Sequence, residues 1–188
     1  MSRFVAFVIV ALVFGLGTGS VFAADQAVAE GARLSRTCAG CHGTDGASPG
    51  KLIPIIGGQL EPYLLKTMVE FAADQRPGSA MLNLAKGYSA EEQQQIAAYF
   101  ATQPWVNTPH ATSAAAEADL VKSCRGCHGS SGEGKGSFPR LAGQHPAYLY
   151  QALMEYKRGE RSAGTMKLVT RYDDAILRQM ADHYSSLK

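Results

Sequence analysis

The pattern C-x-x-C-H occurs twice in this chain, at residues 38–42 and 124–128, and the two copies contain every cysteine of its 188 residues. The pattern is typical of the attachment site of a c-type haem. There, both thiols add to the porphyrin vinyl groups and the histidine lies beneath the iron. One helical turn separates the two cysteines, so both sulfur atoms face the same edge of the ring. The sequence therefore predicts two covalently bound haem c groups, at Cys38, Cys41, His42, Cys124, Cys127 and His128.

Three other kinds of site use paired cysteines: a zinc site, a thioredoxin-like redox pair and a structural disulfide. A zinc site built from both pairs would have to bridge a separation of 86 residues, far beyond the usual ligand spacing. A thioredoxin-like pair belongs in a βαβ context, and the chain contains no stretch with the alternation of a β-strand. Haem attachment is the interpretation that accounts for the histidine in each copy.

The two halves of the chain repeat each other with an offset that falls from 86 to 84 residues. The matched residues are Cys38 and Cys124, Pro54 and Pro139, Gln59 and Gln144, Tyr63 and Tyr148, Met81 and Met166, and Phe100 and Tyr184. We expect an internal duplication: an all-α protein with two tandem cytochrome c-like domains, each around one haem. The predicted domains are residues 24–103 and 113–188, with a linker at 104–112 that begins at Pro104.

Helical periodicity predicts three helices in each half. In the first half they cover 27–37, 62–74 and 89–101, with a capping box from Ser89 to Glu92. In the second half they cover 114–123, 146–157 and about 173–186, with Asp173 as the N-cap.

The N-terminus has the features of a secretion signal, with Arg3 before an apolar stretch and small residues ending at Ala23. We expect residues 1–23 to be cleaved and the mature protein to be periplasmic, where Gram-negative bacteria attach c-type haem. The alternative is a retained membrane anchor, although the apolar run from 4 to 16 is shorter than a membrane span requires.

Charge differs between the two predicted domains. Residues 24–112 carry 6 basic and 8 acidic side chains, whereas residues 113–188 carry 11 and 8. We expect the basic domain, including Lys157, Arg158 and Arg161, to face an acidic electron acceptor. The basic residues are scattered and no stacking platform accompanies them, so we predict no nucleic-acid binding.

A haem that only transfers electrons needs a second axial ligand, commonly methionine or histidine. His110, His145 and His183 have no counterpart in the repeat, so we expect them to be surface or packing residues. Met81 and Met166 are the methionines that superpose, and both follow segments rich in glycine and small residues that we expect to be irregular. We predict that they are the distal ligands. Met68 and Met154 are expected to fill the core of their helices.

With duplicated Gly-Gln-x-x-x-Tyr-Leu segments and paired methionines, the chain resembles the dihaem class I c-type cytochromes. The segments 81–89 and 97–100 resemble the cytochrome subunit of flavocytochrome c sulfide dehydrogenase, while 140–144 is similar both to that subunit and to the cytochrome c4 family. The resemblance implies that Pro54 and Pro139 accept a hydrogen bond from the proximal histidines through their carbonyls. A simpler alternative is that these prolines only stiffen a loop.

The resemblance also implies what the chain does. The leading hypothesis is an electron-transfer subunit without substrate chemistry of its own, which receives electrons from a partner FAD-containing sulfide dehydrogenase subunit. It would pass them to a soluble or membrane-bound acceptor. The alternative is a free shuttle of the cytochrome c4 type that delivers electrons to a terminal oxidase. A haem enzyme such as a dihaem peroxidase would need one iron to lose its distal ligand, which the symmetric methionines disfavour.

Overall fold

The computed structural model describes residues 18–106 and 120–188, and in these ranges the protein is helical. The β-type pairing found there is an isolated bridge between Lys135 and Phe138. The α-helices of the first half are α1 (Thr18–Leu34), α2 (Ala39–His42), α3 (Glu61–Ala72), α4 (Ser79–Lys86) and α5 (Ala90–Thr102). Those of the second half are α6 (Lys122–His128), α7 (Pro146–Lys157) and α8 (Asp174–Ser186). Short 3-10 helices cover Ser35–Thr37, Thr44–Gly46 and Gly164–Arg171.

Each half has its own core, as expected for two tandem domains. In the first domain, α1 and α3 pack on α5, and α4 packs on α3. A Cβ at Gly31 of α1 would lie 2.0 Å from the Gln95 carbonyl oxygen of α5, so this close crossing requires glycine. In the second domain, α7 packs on α8 and on the 3-10 helix Gly164–Arg171. The prediction of an all-α, duplicated fold is confirmed.

The helix termini follow the capping signals in the sequence. Ser89 accepts a hydrogen bond from the Glu92 amide while the Glu92 carboxylate accepts one from the Ser89 amide, which is the predicted capping box. Asp173 accepts from the Ile176 amide at the start of α8. Helix α7 has the predicted bounds, and α3 and α5 differ from prediction by one or two residues.

Both methionine segments are more regular than expected. Met81 lies inside α4 and Met166 inside an eight-residue 3-10 helix, so the prediction of irregular segments is wrong. Gly78, with φ of 139°, is the turn that precedes α4, and the strong helix formers after Ser79 then continue as a helix. The β-branched Val169 and Thr170 disfavour a full α-helix in the second copy.

Several predictions concern residues outside the described ranges. The proposed signal peptide, residues 1–23, lies mostly outside them, although α1 begins at Thr18 and passes through the predicted cleavage site. The predicted helix over 114–123, His110 and most of the linker also lie outside, so the domain boundaries stay predictions. Within the described ranges, no helix has both the length and the apolar character to cross a bilayer.

Candidate haem-binding cavity

Each C-x-x-C-H motif forms one turn of helix. The His42 amide donates to the Cys38 carbonyl at 2.9 Å, which places the histidine one turn after the first cysteine. In both copies the helix ends directly after the histidine, at Gly43 (φ 74°) and Gly129 (φ 86°). A Cβ at Gly43 would lie 2.6 Å from the Ala47 carbonyl oxygen, so glycine allows the chain to turn sharply there.

The two motif histidines are buried and have the same partner. His42 Nδ1 lies 2.9 Å from the Pro54 carbonyl oxygen, and His128 Nδ1 lies 2.9 Å from that of Pro139. Because a carbonyl only accepts, Nδ1 carries the proton and Nε2 keeps its lone pair. Burial lowers the pKa of both imidazoles, and the hydrogen bond to the proline carbonyl opposes this only in part. A neutral imidazole with a free Nε2 is the form that binds a metal.

A single cavity of about 520 Å³ connects the two domains. It is lined by all four cysteines, both motif histidines and both candidate methionines: Cys38, Cys41, His42, Met81, Cys124, Cys127, His128 and Met166. The structure therefore brings together every residue that the sequence predicts to touch haem. Met68 also lines the cavity and is buried in the first core, whereas Met154 is buried in the second.

The zinc alternative does not fit this arrangement. Within residues 18–106 and 120–188, no group of three or more His, Cys, Asp or Glu side chains is close enough to hold a metal ion. The two cysteine pairs therefore do not form a shared tetrahedral site.

Two buried arginines lie where the domains meet, and both line the cavity. Arg76 donates to Thr67 at 3.0 Å and across the domain boundary to Tyr148 at 2.8 Å. Arg161 forms an ion pair with Glu155 at 2.7 Å, and both side chains are below 10% exposed. The Nε atoms of Arg76 and Arg161 have no hydrogen-bond partner in the described part of the protein. Buried guanidinium groups with an unused donor suit the carboxylate groups of a porphyrin, so the cavity fits haem in its polar as well as its apolar lining.

Sequence reasoning did not find this arginine pair, although Arg76 and Arg161 have the same 85-residue offset as the other repeats. The expectation that Arg161 belongs to the exposed basic surface is wrong, because it is only 6% exposed and pairs with Glu155. Arg158 is exposed, as expected, whereas Lys157 is partly covered and forms an ion pair with Asp174 at 2.7 Å.

The non-motif histidines differ in their surroundings. His145 is 2% exposed, and its Nε2 lies 2.9 Å from the Ser48 carbonyl oxygen of the first domain. It is thus a packing residue at the domain boundary. His183 is partly exposed and packs edge-on against Tyr184.

Comparison with known proteins agrees with this geometry. Residues 114–186 match the protein family described as cytochrome c. The chain is 34% identical to cytochrome c4 of Azotobacter vinelandii over 176 residues, covering 82% of this chain and 83% of that protein. A 67-residue stretch is 45% identical to the cytochrome subunit of sulfide dehydrogenase of Chlorobaculum tepidum, covering 36% of this chain and 60% of that subunit.

The fold is also that of solved relatives. The structure superposes on reduced recombinant cytochrome c4 from Pseudomonas stutzeri with a TM-score of 0.75 and 26% identity, covering 86% of this chain and 98% of that one. The match therefore includes both domains and their arrangement in tandem. On the strength of a full-length relative and a matching two-domain structure, the chain belongs to the cytochrome c4 family, as an electron carrier with covalently bound haem c.

Proposed function

We propose that the protein carries two haems, one in each domain, and transfers single electrons between a dehydrogenase and a downstream acceptor. The observation that carries this proposal is the shared cavity, into which both histidine-proline pairs and both superposed methionines face. Haem, when bound, supplies a reversible one-electron couple at its iron. Everything else is the work of the polypeptide.

We assign His42 and Met81 as the axial pair of the first domain, and His128 and Met166 as that of the second. Each histidine is held in a single tautomer by a proline carbonyl, with Nε2 left free for the iron. Each methionine packs against the core of its own domain, which restricts its motion. Thioether ligation favours the ferrous state and raises the reduction potential.

The domain boundary supports transfer inside the molecule. Both attachment sites line one internal surface, and the half-buried Tyr63 and Tyr148 and the buried Arg76 and Arg161 line the cavity around it. Positive charge at this position balances carboxylate groups that would otherwise be costly to bury. Two redox centres placed in this way exchange electrons without a diffusion step.

For the partner, we propose a free carrier of the cytochrome c4 type in the periplasm, after removal of the N-terminal segment. The match along more than four-fifths of the chain supports this choice. The second candidate is the electron-accepting subunit of a flavocytochrome c sulfide dehydrogenase, which the local 45% identity favours. In that case the sulfide chemistry would take place on a separate FAD-bearing chain.

Haem content is the first test. Acid-acetone extraction should leave the haem on the polypeptide, and the pyridine haemochrome assay should give two haems per chain. One haem per chain, or haem that is extracted, would contradict the proposal.

Axial ligation is the second test. Met81→Ala and Met166→Ala should each remove about half of the weak near-infrared sulfur-to-iron band of the oxidised protein and lower one of the two potentials, because thioether favours ferrous iron. Met68→Ala and Met154→Ala are matched controls and should keep the band. Loss of the band in a control variant would overturn the assignment.

Purification from the native organism separates the two partner candidates. A cytochrome that is isolated alone and shows no reduction by sulfide supports the free carrier. A stable complex with an FAD-bearing chain and sulfide-dependent haem reduction would replace it with the sulfide dehydrogenase subunit.

A further inference from the structure

The two repeated glutamines make hydrogen bonds across the domain boundary rather than within their own domains. Gln144 of the second domain accepts from the Ile55 amide at 2.9 Å and donates to the Ile55 carbonyl at 2.8 Å. Gln59 of the first domain accepts from the Arg140 amide at 2.8 Å and donates to the Arg140 carbonyl at 2.9 Å. Both glutamines are almost fully buried, at 2% and 3% exposure. The domains thus exchange equivalent side chains.

In the first domain, this contact reaches the proximal histidine through one peptide group. The N–H of Ile55 and the C=O of Pro54 belong to the same peptide bond. Its carbonyl accepts from His42 Nδ1 at 2.9 Å, while its N–H donates to Gln144 Oε1 at 2.9 Å. The orientation of the Gln144 amide is fixed, because it meets one backbone donor and one backbone acceptor of the same residue.

The second domain repeats the arrangement with the roles of the domains reversed. The peptide group between Pro139 and Arg140 accepts from His128 Nδ1 at 2.9 Å and donates to Gln59 Oε1 at 2.8 Å. A chain of two hydrogen bonds therefore joins each motif histidine to a glutamine of the other domain.

A peptide N–H that donates a hydrogen bond makes the carbonyl of the same peptide group a better acceptor, because hydrogen bonds in a chain polarise one another. A better acceptor draws the Nδ1 proton of the histidine and makes the ring a stronger electron donor to a metal. We propose that Gln59 and Gln144 are positioning residues that lower the reduction potential of the haem in the opposite domain. This inference depends on the proposed histidine ligation.

The two bridges are not equally shielded. The Gln144 bridge is fully buried, and beside it His145 of the second domain also reaches the Ser48 carbonyl of the first. The Gln59 bridge is only partly buried. A hydrogen bond in a less polar environment is electrostatically stronger, so we expect the larger effect from Gln144 on the first haem.

The test replaces each glutamine by methionine, which has a similar volume and no amide. Gln144→Met should raise the potential of the first-domain haem, and Gln59→Met that of the second-domain haem, with a smaller shift. The two potentials are followed by NMR during redox titration, with haem methyl signals assigned from contacts to each domain. Gln144→Glu, which when protonated keeps an acceptor and a donor, should restore the first potential.

A third buried glutamine serves as the matched control. Gln93 donates to the Ala85 and Tyr88 carbonyls within the first domain and does not contact the Pro54–Ile55 peptide. Gln93→Met should therefore not reproduce the shift. If Gln144→Met does not load both haems, Gln144→Asn replaces it, because the shorter side chain withdraws the amide from Ile55.

The crossed pattern decides the outcome. A shift in the haem of the substituted domain itself, an equal shift in both, or no shift would overturn the inference. Each variant is first checked for two haems and an intact near-infrared band. Loss of the band in the unsubstituted protein's assignment tests would instead remove the proposed ligation, so the two failures are distinguishable.

Discussion

The buried ion pair between Glu155 and Arg161 offers a sharp test of the domain boundary. The charged atoms are 2.7 Å apart and the side chains are 7% and 6% exposed. Removing one member of such a pair leaves an uncompensated buried charge, which costs about 3–5 kcal/mol. In Glu155→Gln the amide oxygen can still accept, and Arg161 keeps its position over the Tyr156 ring, 5.1 Å from the centroid. We therefore expect the low end of that range, about 3 kcal/mol.

The repeat supplies a matched control at the equivalent position. Glu70 lies 85 residues before Glu155 but pairs with Lys66 at 3.6 Å, and the Lys66 side chain is 57% exposed. An exposed pair of this kind contributes at most about 0.5 kcal/mol, so Glu70→Gln should be nearly neutral.

Denaturant unfolding followed by far-UV circular dichroism and by haem absorbance would measure the difference. For a domain of this size, a loss of about 3 kcal/mol lowers the melting temperature by roughly 12 °C or more. Equal stabilities of the two variants, within about 0.5 kcal/mol, would refute the reasoning that Arg161 depends on Glu155 for its charge balance.

Three further predictions concern stability and partner binding. Ser89→Ala removes the capping box of α5 and should destabilise the first domain by about 1 kcal/mol in thermal unfolding. Leu177→Ala, at a position with 0% exposure, should cost about 3 kcal/mol in denaturant unfolding of the second domain. Reversing Lys157 and Arg158 to Glu should slow stopped-flow electron transfer to an acidic acceptor at low salt. The difference should vanish at high salt, and a salt-independent loss would contradict an electrostatic origin.

The sequence alone determines the chemistry of attachment and the local structure. The spacing of the cysteines and the histidine is a property of one helical turn, so the motif indicates the haem site without any tertiary information. The capping residues Ser89 and Asp173 likewise act within four residues of their helix, and the structure confirms both. The constant repeat offset predicts two domains of the same fold.

Where local signals compete, the sequence was a poorer guide. The glycine and proline before Met81 were interpreted as a sign of irregular structure, but they mark the turn that precedes α4. In the second copy the same position is a 3-10 helix. Turn residues report where a helix can begin, whereas packing against the domain core decides whether it continues.

The tertiary structure alone decides how the two halves meet. The exchange of Gln59 and Gln144, the contact from Arg76 to Tyr148 and the burial of Arg161 join residues that periodicity does not relate. Helical spacing reports which side of an element is apolar, and it carries no information on which buried polar group will find a partner 70 to 90 residues away. Those partners exist because a buried hydrogen-bonding group must be satisfied by whatever the folded chain places beside it.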